Sequence, residues 1–220
     1  MSLSKAIAYF FSIIGHPMLL IMYMLFLYLK VNPYLFPYAA GRDLMTMVLI
    51  IFFTAVLLPG IGIMLLVGVG FIKSLEMEDR MERIGPLIII SISYLWLYLN
   101  IRTHNMIPIP YSQFVLGALI AVFFAFVVNV ASKVSLHAVG IGGFVLGTIL
   151  LLIHHGGEYT SLYIGSQQYN IHAMMILCVV IILGGIVLTS RLYLKAHWPK
   201  DIYGGFVIGA FGQMLAYTFF

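Results

Sequence analysis

This 220-residue chain carries little charge. Asp, Glu, Lys and Arg together make up 8% of the residues, whereas 63% are hydrophobic. A soluble domain carries about 25% charged residues, so a water-exposed globular protein is excluded. Mean hydropathy is +1.09, the composition of an integral membrane protein. Cys178 is the only cysteine, which excludes an internal disulfide and leaves the redox compartment unread. Acidic residues number only seven, and no carboxylate cage for a metal is apparent. The net charge of +4 comes from basic residues scattered through short loops, a pattern that argues against nucleic-acid binding. After Lys5 a long apolar stretch begins without a small-residue cleavage site, so a cleavable signal peptide is not expected.

What is present is hydrocarbon-compatible sequence in long runs. About 20 apolar residues cross a bilayer as a helix. Seven candidate segments fall near 6–29, 45–72, 86–101, 111–131, 138–154, 172–189 and 202–220. The expected fold is all-α: a polytopic transmembrane helical bundle of six or seven spans, in a single domain over 1–220. Pro17 and Pro59 lie inside the first two segments and are expected to kink them. Gly140, Gly143 and Gly147, then Gly205, Gly209 and Gly212, place small residues near one-turn spacing, which predicts close helix packing.

The polar residues are patterned. They concentrate in the loops after the second, fourth and sixth segments, which parity puts on one side. The first loop holds Lys73, Arg80 and Arg83. The second holds Lys133, Ser135 and His137. The third holds Ser190, Arg191, His197 and Asp201. The opposite loops carry Lys30, Arg42, Asp43, Arg102, His104, His154, His155 and Glu158 without a shared logic. Ionisable groups at a membrane-embedded site mark function by default.

The residue types suit phosphoryl transfer. That reaction needs cations around the equatorial oxygens, an in-line nucleophile and a proton donor for the leaving oxygen. Arginine is favoured because its planar fork bonds two oxygens at once. His197 is the candidate nucleophile, since neutral imidazole is nucleophilic near pH 7. Pro199 suits the first position of a helix, so a helix is expected to start near Trp198, with Asp201 in its first turn. Asp201 can then accept the His197 Nδ1–H and leave Nε2 to attack. The positive helix end favours an anion. His137 is the candidate general acid, and Ser135 before it is a candidate N-cap. The bland alternatives are a solvated first loop with i,i+4 ion pairs and headgroup anchoring by Lys195 and Lys200.

With these residues in place, the chain resembles the type 2 phosphatidic acid phosphatase superfamily of membrane lipid phosphatases. Its three motifs are Lys-x6-Arg-Pro, Pro-Ser-Gly-His and Ser-Arg-x5-His-x3-Asp. Ser190, Arg191, His197 and Asp201 match the third in full. Lys73 and Arg80 match the spacing of the first, with Met81 in place of Pro, and Arg83 before Pro86 offers a second alignment. Ser135 and His137 keep the second motif, while Val134 and Leu136 replace its Pro and Gly. The resemblance covers about 73–220.

The resemblance implies a phosphohistidine on His197, protonation of the leaving alkoxide by His137, and hydrolysis by water without a metal or other cofactor. Lys73, Arg80 or Arg83, Lys133, Ser135 and Arg191 would hold the phosphate. The implied partners are a lipid phosphate or pyrophosphate substrate and the surrounding membrane lipids, with no nucleic acid. Two other readings are a non-catalytic lipid-phosphate binding or transport protein, and phosphotransfer to an acceptor other than water. Eight Lys and Arg residues fall on the motif side and three on the other. Removing the five that phosphate would claim leaves three on each side, so the positive-inside rule does not orient the chain. The resemblance implies a bacterial inner membrane protein with its site on the extracytoplasmic face.

Overall fold

The computed structural model describes residues 2–36, 41–77, 79–164 and 167–219. Its helices are α1 (Leu3–Ile14), α2 (Pro17–Val31), α3 (Gly41–Phe52), α4 (Leu58–Gly68), α5 (Ile84–Ile101), α6 (Ile109–Ala131), α7 (Leu136–His155), α8 (Ala173–Tyr193) and α9 (Pro199–Thr218). The chain is an all-α polytopic bundle. Among the described residues five helical stretches are long and apolar enough to cross a membrane, and α1 with α2 makes a sixth if the bent pair is one span.

The expected first segment is not one kinked helix. Gly15 caps α1, His16 caps α2, and Pro17 occupies the first position of α2. The two axes meet at 62°. Pro17 has no N–H to donate to Ile13, so the helix cannot continue through it. The His16 N–H bonds to the Ile13 carbonyl instead, at 3.1 Å. Pro59 is accommodated differently: a π-helical turn, Phe53–Leu57, directly precedes the helix that carries it. Such turns widen the hydrogen-bond ladder locally, and Gly41–Gly68 remains one apolar span.

The seventh expected segment, α9, is not among the strongly apolar stretches. It carries Lys200, Asp201, Gln213 and several glycines, and it packs one face against α6 and α7 while Tyr203, Val207 and Met214 lie exposed on the other. The face of a helix that packs on protein can keep polar groups if they find partners. Gln213 Nε2 donates to the Phe114 carbonyl at 3.1 Å. The α7–α9 contact is backbone-close. A Cβ on Gly209 would collide with the Val139 carbonyl oxygen, and one on Gly205 would press on the Ser135 carbonyl. The small-residue spacing therefore serves helix packing, as membrane bundles require when lipid supplies no hydrophobic drive.

Not anticipated is an antiparallel strand pair between α7 and α8, β1 (Tyr159–Ile164) with β2 (Gln167–His172). It sits at the end of the bundle away from the motif-bearing loops, where the Thr160 hydroxyl donates to the Val31 carbonyl at 2.9 Å. The outer faces of the helices show Leu49, Ile92, Trp96, Ile182 and Val207 to the surroundings, which suits lipid contact.

Candidate active site

Three loops and one helix break meet at one end of the bundle. The Arg80 guanidinium donates to the Ala131 carbonyl, and Asn129 Nδ2 donates to the Arg80 carbonyl at 2.7 Å. The Arg83 guanidinium donates from Nε to the Met77 carbonyl at 3.0 Å and from Nη1 to the Val134 carbonyl at 2.7 Å. These bonds tie the α4–α5 loop to the α6–α7 loop. The Ser135 N–H donates to the Asp201 carbonyl at 3.1 Å, joining the α6–α7 loop to the start of α9.

The two candidate arginines of the first loop part company at this site. Arg83 is 5% exposed and lies within electrostatic reach of Arg191, Asp201 and His197. Arg80 is exposed and spends its contacts on the loop backbone. Lys73 is also exposed, and among the described residues it makes no hydrogen bond or ion pair. Lys133 is half-buried and acts electrostatically on His197.

His197 is 8% exposed and sits just before α9, which begins at Pro199 as proline's fit to that position predicts. Asp201 lies one turn on. Its Oδ2 is 3.6 Å from His197 Nδ1, beyond hydrogen-bond length. The same oxygen accepts from the Trp198 N–H at 3.1 Å. The expected Asp–His hydrogen bond is therefore replaced by a shared arrangement: the carboxylate caps α9 and faces the imidazole across a short gap. Buried Nδ1 has no hydrogen-bond partner among the described residues. Burial pushes the His197 imidazole down to about 4; Arg83, Arg191 and Lys133 add to that shift and Asp201 opposes it. The ring is neutral at pH 7, as a nucleophile must be.

Ser135 is fully buried and caps α7 by accepting from the Ala138 N–H at 3.4 Å. His137 follows in the first turn. Its Nε2 is 3.0 Å from the Ser12 carbonyl oxygen. Arg191, His16 and His197 lie within its electrostatic reach. Arg191, in the last turn of α8, donates from Nη1 to the Ser12 hydroxyl at 2.7 Å, while its buried Nε has no partner among the described residues. Among those residues no group of three or more His, Cys, Asp or Glu side chains is placed to hold a metal ion.

Sequence reasoning overlooked Ser12 and His16. The signal was there: a His directly before Pro17 inside an apolar run is a polar group at membrane depth. Chemically, the assembled site offers a neutral buried imidazole backed by a carboxylate, a second imidazole, and Arg83, Arg191 and Lys133 around them. Groups of these types can bind an anion and supply a nucleophile.

Residues 131–220 match the family model described as the PAP2 superfamily. No curated protein and no solved structure matches the chain.

Proposed function

With residues 131–220 supporting membership of the PAP2 superfamily, a family of phosphatases, we propose that the chain hydrolyses a lipid phosphate or pyrophosphate through a phosphohistidine intermediate. One observation carries this reading: buried, neutral His197 is ringed by Arg83, Arg191 and Lys133 and backed by Asp201. Cations so placed favour a phosphate and the charge of its transition state. The unpartnered Arg191 Nε–H is a buried donor whose cost an anion would relieve.

His197 Nε2 attacks phosphorus in line with the scissile P–O bond. A P–N bond forms as the P–O bond breaks, and His137 gives its proton to the departing alkoxide or phosphate. Asp201 stabilises the cationic imidazole that results. Water then attacks phosphorus, His137 takes the proton, and the P–N bond breaks to release inorganic phosphate and regenerate His197. Arg83, Arg191 and Lys133 take the charge-neutralising role that Mg²⁺ fills in other phosphoryl-transfer sites. The site lies at one end of a lipid-facing bundle, which suits a substrate with its headgroup at the interface and its chains in the bilayer.

The test is phosphate release by purified protein in detergent with EDTA, across a panel of lipid phosphates, beside His197→Ala. Turnover that persists in EDTA and disappears in the variant supports the proposal. Turnover equal in both sinks the assignment of His197. A second reading, a lipid-phosphate binding protein without turnover, is favoured by Val134 and Leu136 standing where the second motif has Pro and Gly. Phosphate affinity without release on any lipid would support that one.

A further inference from the structure

We infer that Ser12, at the end of α1 and outside the family-matched segment, is a positioning residue of the phosphate site. Its hydroxyl orients the Arg191 guanidinium and its carbonyl orients the His137 imidazole. The catalytic roles of Arg191 and His137 rest on the proposed phosphatase reading.

The carbonyl is available because of Pro17. In an unbroken helix the Ser12 carbonyl would accept from the His16 N–H. Pro17 cannot donate to Ile13, the His16 N–H turns to the Ile13 carbonyl at 3.1 Å, and Gly15 bonds to Phe11 at 2.8 Å. The Ser12 oxygen is left to face His137 Nε2 at 3.0 Å. A carbonyl only accepts, so Nε2 carries the proton. The ring then exchanges protons with substrate through Nδ1. The His16 ring stands edge-on to His137, 5.6 Å between centroids, and walls one side of it.

The hydroxyl is equally atypical. A Ser or Thr in a membrane helix ordinarily bonds its own i−4 carbonyl. Thr54, Ser91, Thr148 and Ser190 all do so in this chain, at 2.7–2.8 Å. The Ser12 hydroxyl instead meets Arg191 Nη1 at 2.7 Å, across 179 positions of sequence. It is 5% exposed. One bond at Nη1 fixes the plane of the guanidinium and so the direction of its buried, unpartnered Nε–H. The junction itself is held rigidly. A Cβ on Gly15 would strike Val187 of α8, and the Tyr23 hydroxyl donates to the Ile14 carbonyl at 3.0 Å.

The test titrates inorganic phosphate into purified full-length wild type, Ser12→Ala, Ser12→Cys and Ser12→Thr, and measures kcat and KM on a lipid phosphate. Thermal melting is recorded for all four. Losing one charged hydrogen bond predicts about a tenfold weaker phosphate affinity and higher KM in Ser12→Ala. Ser12→Cys keeps the size but weakens the acceptor and should fall the same way if Ser12→Ala does not fold. Ser12→Thr keeps the hydroxyl and should return to within about twofold of wild type. The inference is overturned if Ser12→Ala or a folded Ser12→Cys binds phosphate as wild type does, if Ser12→Thr is no better than Ser12→Ala, or if wild type binds no phosphate. Should no lipid be hydrolysed while phosphate binding still follows this series, the hydrolase reading fails and the role of Ser12 stands.

Discussion

The Ser135 N–H and the Asp201 carbonyl oxygen are 3.1 Å apart, so the first turns of α7 and α9 are stitched backbone to backbone. His137 follows one of these residues and His197 precedes the other. The two imidazoles are thus fixed relative to each other by the α7–α9 contact, and the glycines that allow that contact matter to the site as much as to the fold.

A methyl group tests this. Gly209→Ala places a Cβ on the Val139 carbonyl oxygen, whereas Gly204→Ala meets open space. Overpacking at Gly209 is expected to cost about 1–3 kcal/mol, seen as a lower melting temperature in detergent with reduced phosphate release. Gly204→Ala should match wild type. Equal melting of the two variants would contradict the close α7–α9 approach.

Arg83 and Arg80 should behave differently. Arg83→Gln removes a buried cation facing His197 and strips the Met77 and Val134 carbonyls of their donors, so phosphate affinity and turnover should fall by at least about 100-fold, the scale of a lost charged contact. Arg80→Gln loses an exposed contact to the loop backbone and should change KM only a few-fold. Kinetics of the two variants side by side decide the matter, and the reverse ranking would reassign the phosphate-binding arginine.

The pH profile follows from His197. Only its neutral form attacks, and its pKa lies near 4 rather than at the ordinary 6.5. The acid limb of kcat/KM is therefore expected nearer pH 4 than pH 6.5. Asp201 raises the His197 pKa, so Asp201→Asn should move the acid limb to still lower pH while lowering the plateau. A limb that stays put in Asp201→Asn would show that the carboxylate does not act on His197.

Sidedness is accessible by labelling. α5 runs from Arg83 at the site to Arg102 at its far end, and α8 brings the chain back to Lys195 beside the site. In a Cys178→Ser background, Lys195→Cys and Arg102→Cys should react from opposite faces of the membrane, with Lys195→Cys on the extracytoplasmic side. Labelling of both from one face would refute the bundle's topology, and labelling of Lys195→Cys from the cytoplasm would reverse the proposed orientation alone.

Whatever depends on composition and short spacing was legible before folding. Few charges and long apolar runs forced a membrane bundle, because unpaired charges and open backbone are too costly in hydrocarbon. Four residues from His197 to Asp201, with Pro199 between them, brought the carboxylate one helical turn under the imidazole. What depends on distant partners emerges only when the chain is folded. Arg80 and Arg83 are both basic and three positions apart, and it is the carbonyls of Met77 and Val134 that draw the second one inward. Asp201 answers first to the Trp198 N–H, since a helix end must satisfy its own donors. Pro17 announced a break, but that the break frees the Ser12 carbonyl for His137 and turns the Ser12 hydroxyl toward Arg191 follows from packing between residues more than a hundred positions apart, which no local periodicity encodes.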